Sequence, residues 1–326
     1  MWVIGGGNKK NEALSDVWSS DNGIDWRIES NQTPWQTSYF SSGVVFRDHI
    51  WILGGWSSAL ETSNQVWASE NGSDWKLMTN NAPWKARGGA AVVVFKDKLW
   101  MIGGSSNFRN QNNQSSFNDI WSSSDGVNWE LVTKEAPWEP RAFHSVLAIN
   151  GRIWLVGGGY WSSSARGFDD IWSSEDGITW RQEAKASLPG RRLWSSILTF
   201  HDKIWITGGL LTTEKMVSND TWVGQNGDQW ELYFAKERFS PRLASGTIVF
   251  KDRLWVLGGS NSDFFSDIWS LHPEKSSDTI RRKLLENMVR ARTQMSKFFH
   301  HTWKQGILIG VPKVDGPTKV DDSLLK

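Results

Sequence analysis

The chain has 326 residues, with 36 Lys and Arg against 35 Asp and Glu, and a formal net charge of +1 at pH 7. This balance points to no nucleic-acid partner and to no membrane-surface partner. The sequence contains no cysteine, which excludes disulfides, thiolate metal sites and a cysteine nucleophile. No apolar run is long enough to span a bilayer, and the start MWVIGGGNKK lacks the pattern of a signal peptide, so no compartment is predicted.

Double glycines divide most of the chain into six similar units. Each pair follows an apolar run such as LWMI and precedes a polar loop of variable length that ends at a Trp; in five units a second Trp stands eight residues further on. Successive pairs are 49 to 54 residues apart: Gly5-Gly6, Gly54-Gly55, Gly103-Gly104, Gly157-Gly158, Gly208-Gly209 and Gly258-Gly259. A fixed period of this length predicts a repeated supersecondary unit.

Each unit reads as four short strands, which we label a to d, with the double glycine at the end of strand b. Tight turns such as Asn150-Gly151 join strands a and b, and turns such as Asp176-Gly177 join strands c and d. Four short antiparallel strands in every ~50 residues predict a propeller blade. The first unit lacks strand a, and the sixth has LHPEKSS where the other units have the turn before strand d.

An apolar run, a double glycine, a variable loop and two spaced aromatics resemble the kelch repeat, here six times over residues 1–271. We therefore predict an all-β, six-bladed kelch-type β-propeller whose first and last blades are incomplete. Most of the repeated Gly and Trp residues are then scaffold. Three explanations of the missing strands stay open: a strand from the tail (Gly306 to Val311), an imperfect ring, or a Met1 that is an internal start of a longer protein.

Residues 272–326 differ from the repeats because they carry an excess of Lys and Arg. Apolar residues at spacings near 3.6 predict an amphipathic helix from Asp278 to Trp303. The favoured interpretation is a helix packed on the propeller or a disordered tail left by a truncation. A partner protein or an anionic membrane surface is the alternative.

The b–c loops and the d–a connections share one face of the predicted propeller, and we call this the loop face. Variable loops on a rigid frame commonly carry binding sites. Sixteen residues before the first glycine of units three to six stand arginines, with Ser38 at this place in unit two: Arg87, Arg141, Arg192 and Arg242. We expect these arginines to ring the mouth of the central channel and to bind carboxylates. The alternative is that each one ties down a neighbouring blade's carbonyls or an Asp.

Further residues near the loop face supply aromatic and cationic surface: Arg109, Trp56, Tyr160, Trp161 and Trp194. Such side chains suit a protein hot spot or sugar stacking. In kelch adaptor proteins, arginines at the start of strand a meet acidic peptides, so the resemblance implies the same role here. The predicted function is thus non-catalytic recognition of an acidic protein segment or an anionic glycan.

An enzyme is the alternative prediction. The chain resembles galactose oxidase in its blades alone, and its scattered Tyr and His residues form no recognisable copper set, so no metal or cofactor is predicted. His144, three residues after Arg141, is the best acid–base candidate. An enzyme acting on sugars, similar to the sialic-acid epimerases (mutarotases) built on kelch propellers, would use it beside the arginines.

Overall fold

A computed structural model describes residues 1–8, 13–35, 38–57, 61–107, 114–161, 165–183, 188–225, 227, 229–235 and 238–271. Within these ranges every regular element is a β-strand, and every strand pairing is antiparallel. The all-β prediction is confirmed. The predicted helix at 278–303 and the candidate strand at 306–311 lie outside the described residues.

The first half of the described chain forms three sheets and one ribbon. Sheet 1 contains β1 (Trp2–Gly7), β2 (Ala13–Ser19) and β3 (Arg27–Ser30). The ribbon pairs β4 (Ser38–Tyr39) with β7 (Trp56–Ser57), and sheet 2 contains β5 (Ser42–Phe46), β6 (His49–Leu53), β8 (Val66–Ser69) and β9 (Lys76–Thr79). Sheet 3 contains β10 (Ala91–Phe95), β11 (Lys98–Ser105), β12 (Ser116–Ser123) and β13 (Glu130–Thr133).

The second half repeats this plan. Sheet 4 contains β14 (Ser145–Ile149), β15 (Arg152–Val156), β18 (Ile171–Ser174) and β19 (Arg181–Gln182), beside a ribbon of β16 (Gly159–Tyr160) and β17 (Arg166–Gly167). A small sheet joins β20 (Arg192–Leu193), β23 (Leu210–Leu211) and β24 (Met216–Val217). Sheet 5 contains β21 (Ser196–Phe200), β22 (Lys203–Thr207), β25 (Thr221–Gly224) and β26 (Trp230–Tyr233), and sheet 6 contains β27 (Gly246–Phe250), β28 (Arg253–Leu257) and β29 (Ile268–Leu271).

The strand order in each sheet follows the chain from a to d, as the repeat predicts. Among the described residues, sheet 1 has no strand before β1 and sheet 6 has no strand beyond β29. The a–b turns have the left-handed backbone that two-residue hairpins need: φ is +49° at Lys96 and +54° at Asp97. These turns and the c–d turns lie opposite the loop face.

The core lies between successive sheets. Four buried clusters are found in the described residues, and each draws side chains from two neighbouring sheets. In the first, Trp51 and Trp84 of the second unit pack with Leu99, Met101 and Trp129 of the third. Burying large aromatics between sheets fixes each one against the next.

A second contact between sheets joins the indole of a strand-b Trp to the glycine of a c–d turn in another sheet. Trp2 packs on Gly72, Trp51 on Gly126 and Trp100 on Gly177, so this contact joins sheet 1 to sheet 2, sheet 2 to sheet 3 and sheet 3 to sheet 4. Trp255 of sheet 6 makes the same contact with Gly23 of sheet 1, where an added Cβ would lie 2.3 Å from the Cη2 atom of the indole. Sheets 1 and 6, the first and last of the series, therefore pack together.

Candidate functional site

Backbone hydrogen bonds hold neighbouring sheets together at the loop face. The amide of Gly89 donates to the carbonyl of Phe40, and the amide of Phe143 donates to the carbonyl of Gly89, both at 2.9 Å. The amide of Ala244 donates in the same way to the carbonyl of Trp194. These five residues stand two positions after the arginine register of their units, and each has positive φ. These hydrogen bonds therefore fix the backbones of neighbouring sheets against each other at the loop face.

The predicted arginine ring is corrected by the structure. The side chains of Arg87, Arg141, Arg192 and Arg242 are at most 1% exposed. Each guanidinium is bonded to a carboxylate of its own repeat unit: Asp119, Asp170, Asp220 and Asp267, respectively. The arginines that were expected to face solvent are therefore buried, and aspartates neutralise their charges. These contacts match the alternative prediction of a structural role, except that the bonded carbonyls and aspartates belong to the arginine's own unit and not to a neighbouring one.

The geometry around Arg141 explains the sixteen-residue spacing. Its Nη1 donates to the carbonyl of Gly157 at 3.0 Å and to Asp170 Oδ1 at 2.5 Å, while Nη2 donates to Asp170 Oδ2 at 2.8 Å. The Trp172 indole donates to the same carboxylate, and the Phe168 ring lies 4.2 Å below the guanidinium carbon. One arginine thereby ties strand a to the end of strand b and to strand c.

The carboxylate partners could have been found in the sequence. Each Asp stands two residues before the first Trp of its unit, and unit two, which has Ser38 in place of Arg, has Gln65 in place of Asp. The arginine and the aspartate are therefore present together in four units and missing together in one. That pairing is the signature of a structural ion pair.

Aromatic side chains, in place of arginines, occupy the centre of the loop face. Phe40, Trp56, Phe143, Trp161 and Trp194, here called the aromatic cluster, come from units two, four and five. Ring centroids are 4.9 Å apart for Phe40 and Phe143, 5.3 Å for Phe143 and Trp194, and 5.0 Å for Trp161 and Trp194. The cluster runs from a buried base to an exposed edge, since Trp56 is fully buried and Trp161 is 39% exposed.

Two glycines of unit three make room for this cluster. A Cβ added to Gly88 would lie 2.3 Å from the ring of Trp56, and one added to Gly89 would lie 2.9 Å from the ring of Phe143. Units four and five have Ala-Phe and Leu-Trp at these two places. The cluster therefore depends on the small residues of a sheet that contributes no aromatic ring to it.

The rim of the cluster carries charge, and the described arginines there are paired. Arg166 donates to Glu139 at 2.8 Å and to the Tyr160 hydroxyl at 3.0 Å, while Arg191 lies 3.4 Å from Asp169. The side chain of Arg166 is 50% exposed and that of Arg191 is 58% exposed, so a ligand carboxylate can reach both. Arg109, also predicted to bind ligand, lies outside the described residues.

His144 does not stand at the surface, which corrects its position as an acid–base candidate. Its side chain is 5% exposed and packs between Gly103 of sheet 3 and Gly158 of sheet 4. Burial, with the positive charge of Arg141 beside it, lowers the pKa of His144 to about 3. The imidazole is therefore neutral at physiological pH and out of reach of a ligand on the loop face.

The described residues contain no group of three or more His, Asp and Glu placed to hold a metal ion. Among them, too, no helix is long and apolar enough to cross a bilayer. The arrangement offers aromatic contact area and a few paired charges on a rigid frame. Such a surface is suited to binding.

Comparison with known proteins bears on the repeats. Residues 1–158 match the family model described as the KLHDC2/KLHL20/DRC7 Kelch-repeats domain, and no curated protein matches the chain. Kelch domains generally mediate protein–protein interaction, so the match indicates an interaction module. Together with the repeated units and the antiparallel sheets that they form, the match supports a kelch-repeat protein.

Proposed function

We propose that residues 1–271 form a six-bladed propeller, with 272–326 as a separate tail, and that the propeller binds a peptide segment of a partner protein on its loop face. The contact of Trp255 with Gly23 supports a closed ring, because it repeats between the last and first sheets the packing seen between successive ones. The observation that carries the binding function is the aromatic cluster. Partly exposed, contiguous Trp and Phe side chains at the centre of a rigid face are typical of protein hot spots.

The chemistry of the cluster favours an apolar or aromatic side chain of the partner as the anchor. Such a side chain would cover Trp161 and the half-buried rings of Phe143 and Trp194. An acidic residue next to the anchor would compete with Glu139 for Arg166 or with Asp169 for Arg191. The support for a strongly anionic ligand is weaker than the sequence indicated, because the four strand-a arginines already have carboxylate partners.

No observation favours a glycan ligand over a peptide or favours the enzyme alternative. A sugar-acting mechanism through His144 would require a ligand to reach a side chain that lies between two sheets. The proposal therefore remains a non-catalytic, protein-binding propeller.

The test is a selection of random twelve-residue peptides on the complete chain, followed by measurement of Kd for the selected peptides. Trp161→Ala should weaken binding by about 2 kcal/mol or more, roughly 30-fold in Kd, as expected for a hot-spot Trp. The matched control is Ile178→Ala, which removes an exposed apolar side chain from a c–d turn on the opposite face. Equal Kd values for the wild type and Trp161→Ala would refute the proposal, and so would a selection that yields no binding peptide.

A further inference from the structure

The second unit lacks the ion pair that the next four units share. Ser38 occupies the arginine position and Gln65 the aspartate position. At a third position, a Phe ring lies under the guanidinium in three of those four units and Ser218 stands in the other; unit two has Ser63 there. Unit two therefore has uncharged side chains at both positions of the ion pair and no aromatic ring at the third.

A cavity of about 380 Å³ opens at this place. Its walls include Trp35 from the d–a connection and Gly54, Glu61, Ser63 and Gln65 from the b–c loop. It therefore opens on the loop face. This volume is large enough to admit the head group of a side chain.

Unit two retains hydrogen-bond acceptors at the positions that bind the guanidinium in the other units. The carbonyl of Gly54 corresponds to those of Gly103 and Gly157, which accept from Arg87 and Arg141, and no described side chain donates to it. Gln65 accepts the indole N–H of Trp67 at 3.2 Å, as the aspartates accept from their own Trp. The Gly54 carbonyl therefore lacks the arginine donor that the carbonyls of Gly103 and Gly157 have.

The lining is otherwise rich in acceptors. The amide nitrogens of Gln65 and Asn64 donate to Asn80 and Asn81, and the Gln65 oxygen, which accepts from Trp67, has a second lone pair for a further donor. Glu61 contributes a carboxylate that makes no ion pair among the described residues. The walls thus offer one negative charge and several carbonyl oxygens, a set that suits a planar cation with several N–H donors.

We propose that this cavity binds a guanidinium group, carried by an arginine side chain of a partner protein. The arginine would take the place that Arg87 and Arg141 occupy in their sheets, with N–H donors on the Gly54 carbonyl and on Glu61, and with Trp35 as an aromatic wall. The inference does not rest on the aromatic cluster and holds whether or not a peptide binds there.

The experiment measures binding of the peptide acetyl-Gly-Arg-Gly-amide to the complete chain by ligand-observed NMR. Its matched controls replace arginine with citrulline, which keeps the shape and loses the charge, and with lysine. The arginine peptide should bind at least tenfold more tightly than the citrulline peptide and more tightly than the lysine peptide. Equal affinities, or no detectable binding of the arginine peptide, would overturn the proposal.

Three variants locate the site. Gln65→Asp restores the carboxylate of the other units and should strengthen binding several-fold, whereas Glu61→Gln should weaken it about tenfold. The double variant Ser38→Arg/Gln65→Asp introduces the Arg–Asp pair of the other units, so the chain's own arginine should fill the site. It should abolish peptide binding and raise the melting temperature. Unchanged affinity in Gln65→Asp and Glu61→Gln, or binding that persists in a folded double variant, would place the peptide elsewhere and contradict the proposal. Glu61→Gln keeps the test decisive if the double variant does not fold.

Discussion

The indole of Trp255 lies against the backbone of Gly23, although the two residues come from the last and the first sheets of the described chain. No side chain fits between them, since a Cβ on Gly23 would lie 2.3 Å from the nearest ring atom. The same contact joins Trp51 to Gly126 and Trp100 to Gly177 between successive sheets. The contact between the first and last sheets therefore has the same form as the contacts between sheets 2 and 3 and between sheets 3 and 4.

We expect Gly23→Ala to destabilise the protein through this contact. Two costs add: a left-handed backbone for alanine, about 1–2 kcal/mol, and overpacking against Trp255, about 1–3 kcal/mol. Gly151→Ala is the matched control, because Gly151 also has positive φ (+72°) but has open space around its Cβ position. Urea unfolding measures both variants, and equal losses of unfolding free energy would show that the contact with Trp255 contributes nothing.

The strand-a arginines should be essential for stability. Arg141→Ala leaves Asp170 and the carbonyl of Gly157 without their donor, and loss of one partner of a buried ion pair costs about 3–5 kcal/mol. Arg152→Ala, which breaks an ion pair with the exposed Glu175, should cost no more than about 1 kcal/mol. Chemical unfolding of both variants checks this contrast. A small effect of Arg141→Ala would reopen a ligand-binding role for these arginines.

The position of these arginines could be predicted from the sequence, but their surroundings could not. The sixteen-residue register predicts each one at the start of strand a. Whether the side chain then turns to solvent or into its sheet depends on a partner about 30 residues away, and the aspartate two residues before the first Trp was the missing clue. Trp56, predicted to supply surface at the loop face, is buried, because Gly88 of the next unit leaves space for its ring.

Phe40 and Phe143 were not predicted as site residues. Each of them stands two residues after the arginine position of its unit, in a segment that the sequence predicts to begin a strand. In the structure both have positive φ, a backbone that is rare for Phe and that local sequence does not indicate. The frame of hydrogen bonds between sheets stabilises this backbone, and it exists only once the sheets have assembled. The repeat thus predicted the strands well and the centre of the loop face poorly.

Burial of neutral His144 should make stability depend on pH below neutrality. Its pKa is lowered from 6.5 to about 3 in the folded protein, so below pH 6.5 the unfolded chain binds a proton that the folded chain does not. Stability should therefore fall as the pH drops from 6.5 towards 3, by up to about 1.4 kcal/mol per pH unit from this group. His144→Gln should remove that slope in urea unfolding between pH 6.5 and 4.5. An unchanged slope would mean that His144 is accessible to protons in the fold.

The aspartates of the strand-a ion pairs should affect stability in a lower pH range than His144 does. Burial raises the pKa of Asp220, but the charge and hydrogen bonds of Arg192, with hydrogen bonds from Ser218 and Trp222, outweigh it and hold the pKa below 3.8. The pKa values of Asp170 and Asp267 are lowered by the same kind of balance. The stabilisation is complete above pH 3.8 and is lost as the pH falls through the lower folded-state values. Acid titration of the His144→Gln variant, followed by circular dichroism, should show cooperative unfolding below pH 3.8, and Asp220→Asn should move its midpoint.

The aromatic cluster should depend on Gly88 without any change in its own residues. Gly88→Ala places a methyl group 2.3 Å from the ring of Trp56, at a position where φ imposes no strain, so the indole must move. Gly43→Ala is the matched control, since its Cβ would make an ordinary 3.5 Å contact with Ile52. We expect Gly88→Ala to cost about 1–3 kcal/mol of stability and to weaken peptide binding, while Gly43→Ala leaves the Kd unchanged. If Gly88→Ala alters stability and leaves the Kd of selected peptides intact, Trp56 supports the fold alone, and binding must be assigned to the exposed edge at Trp161 and Trp194.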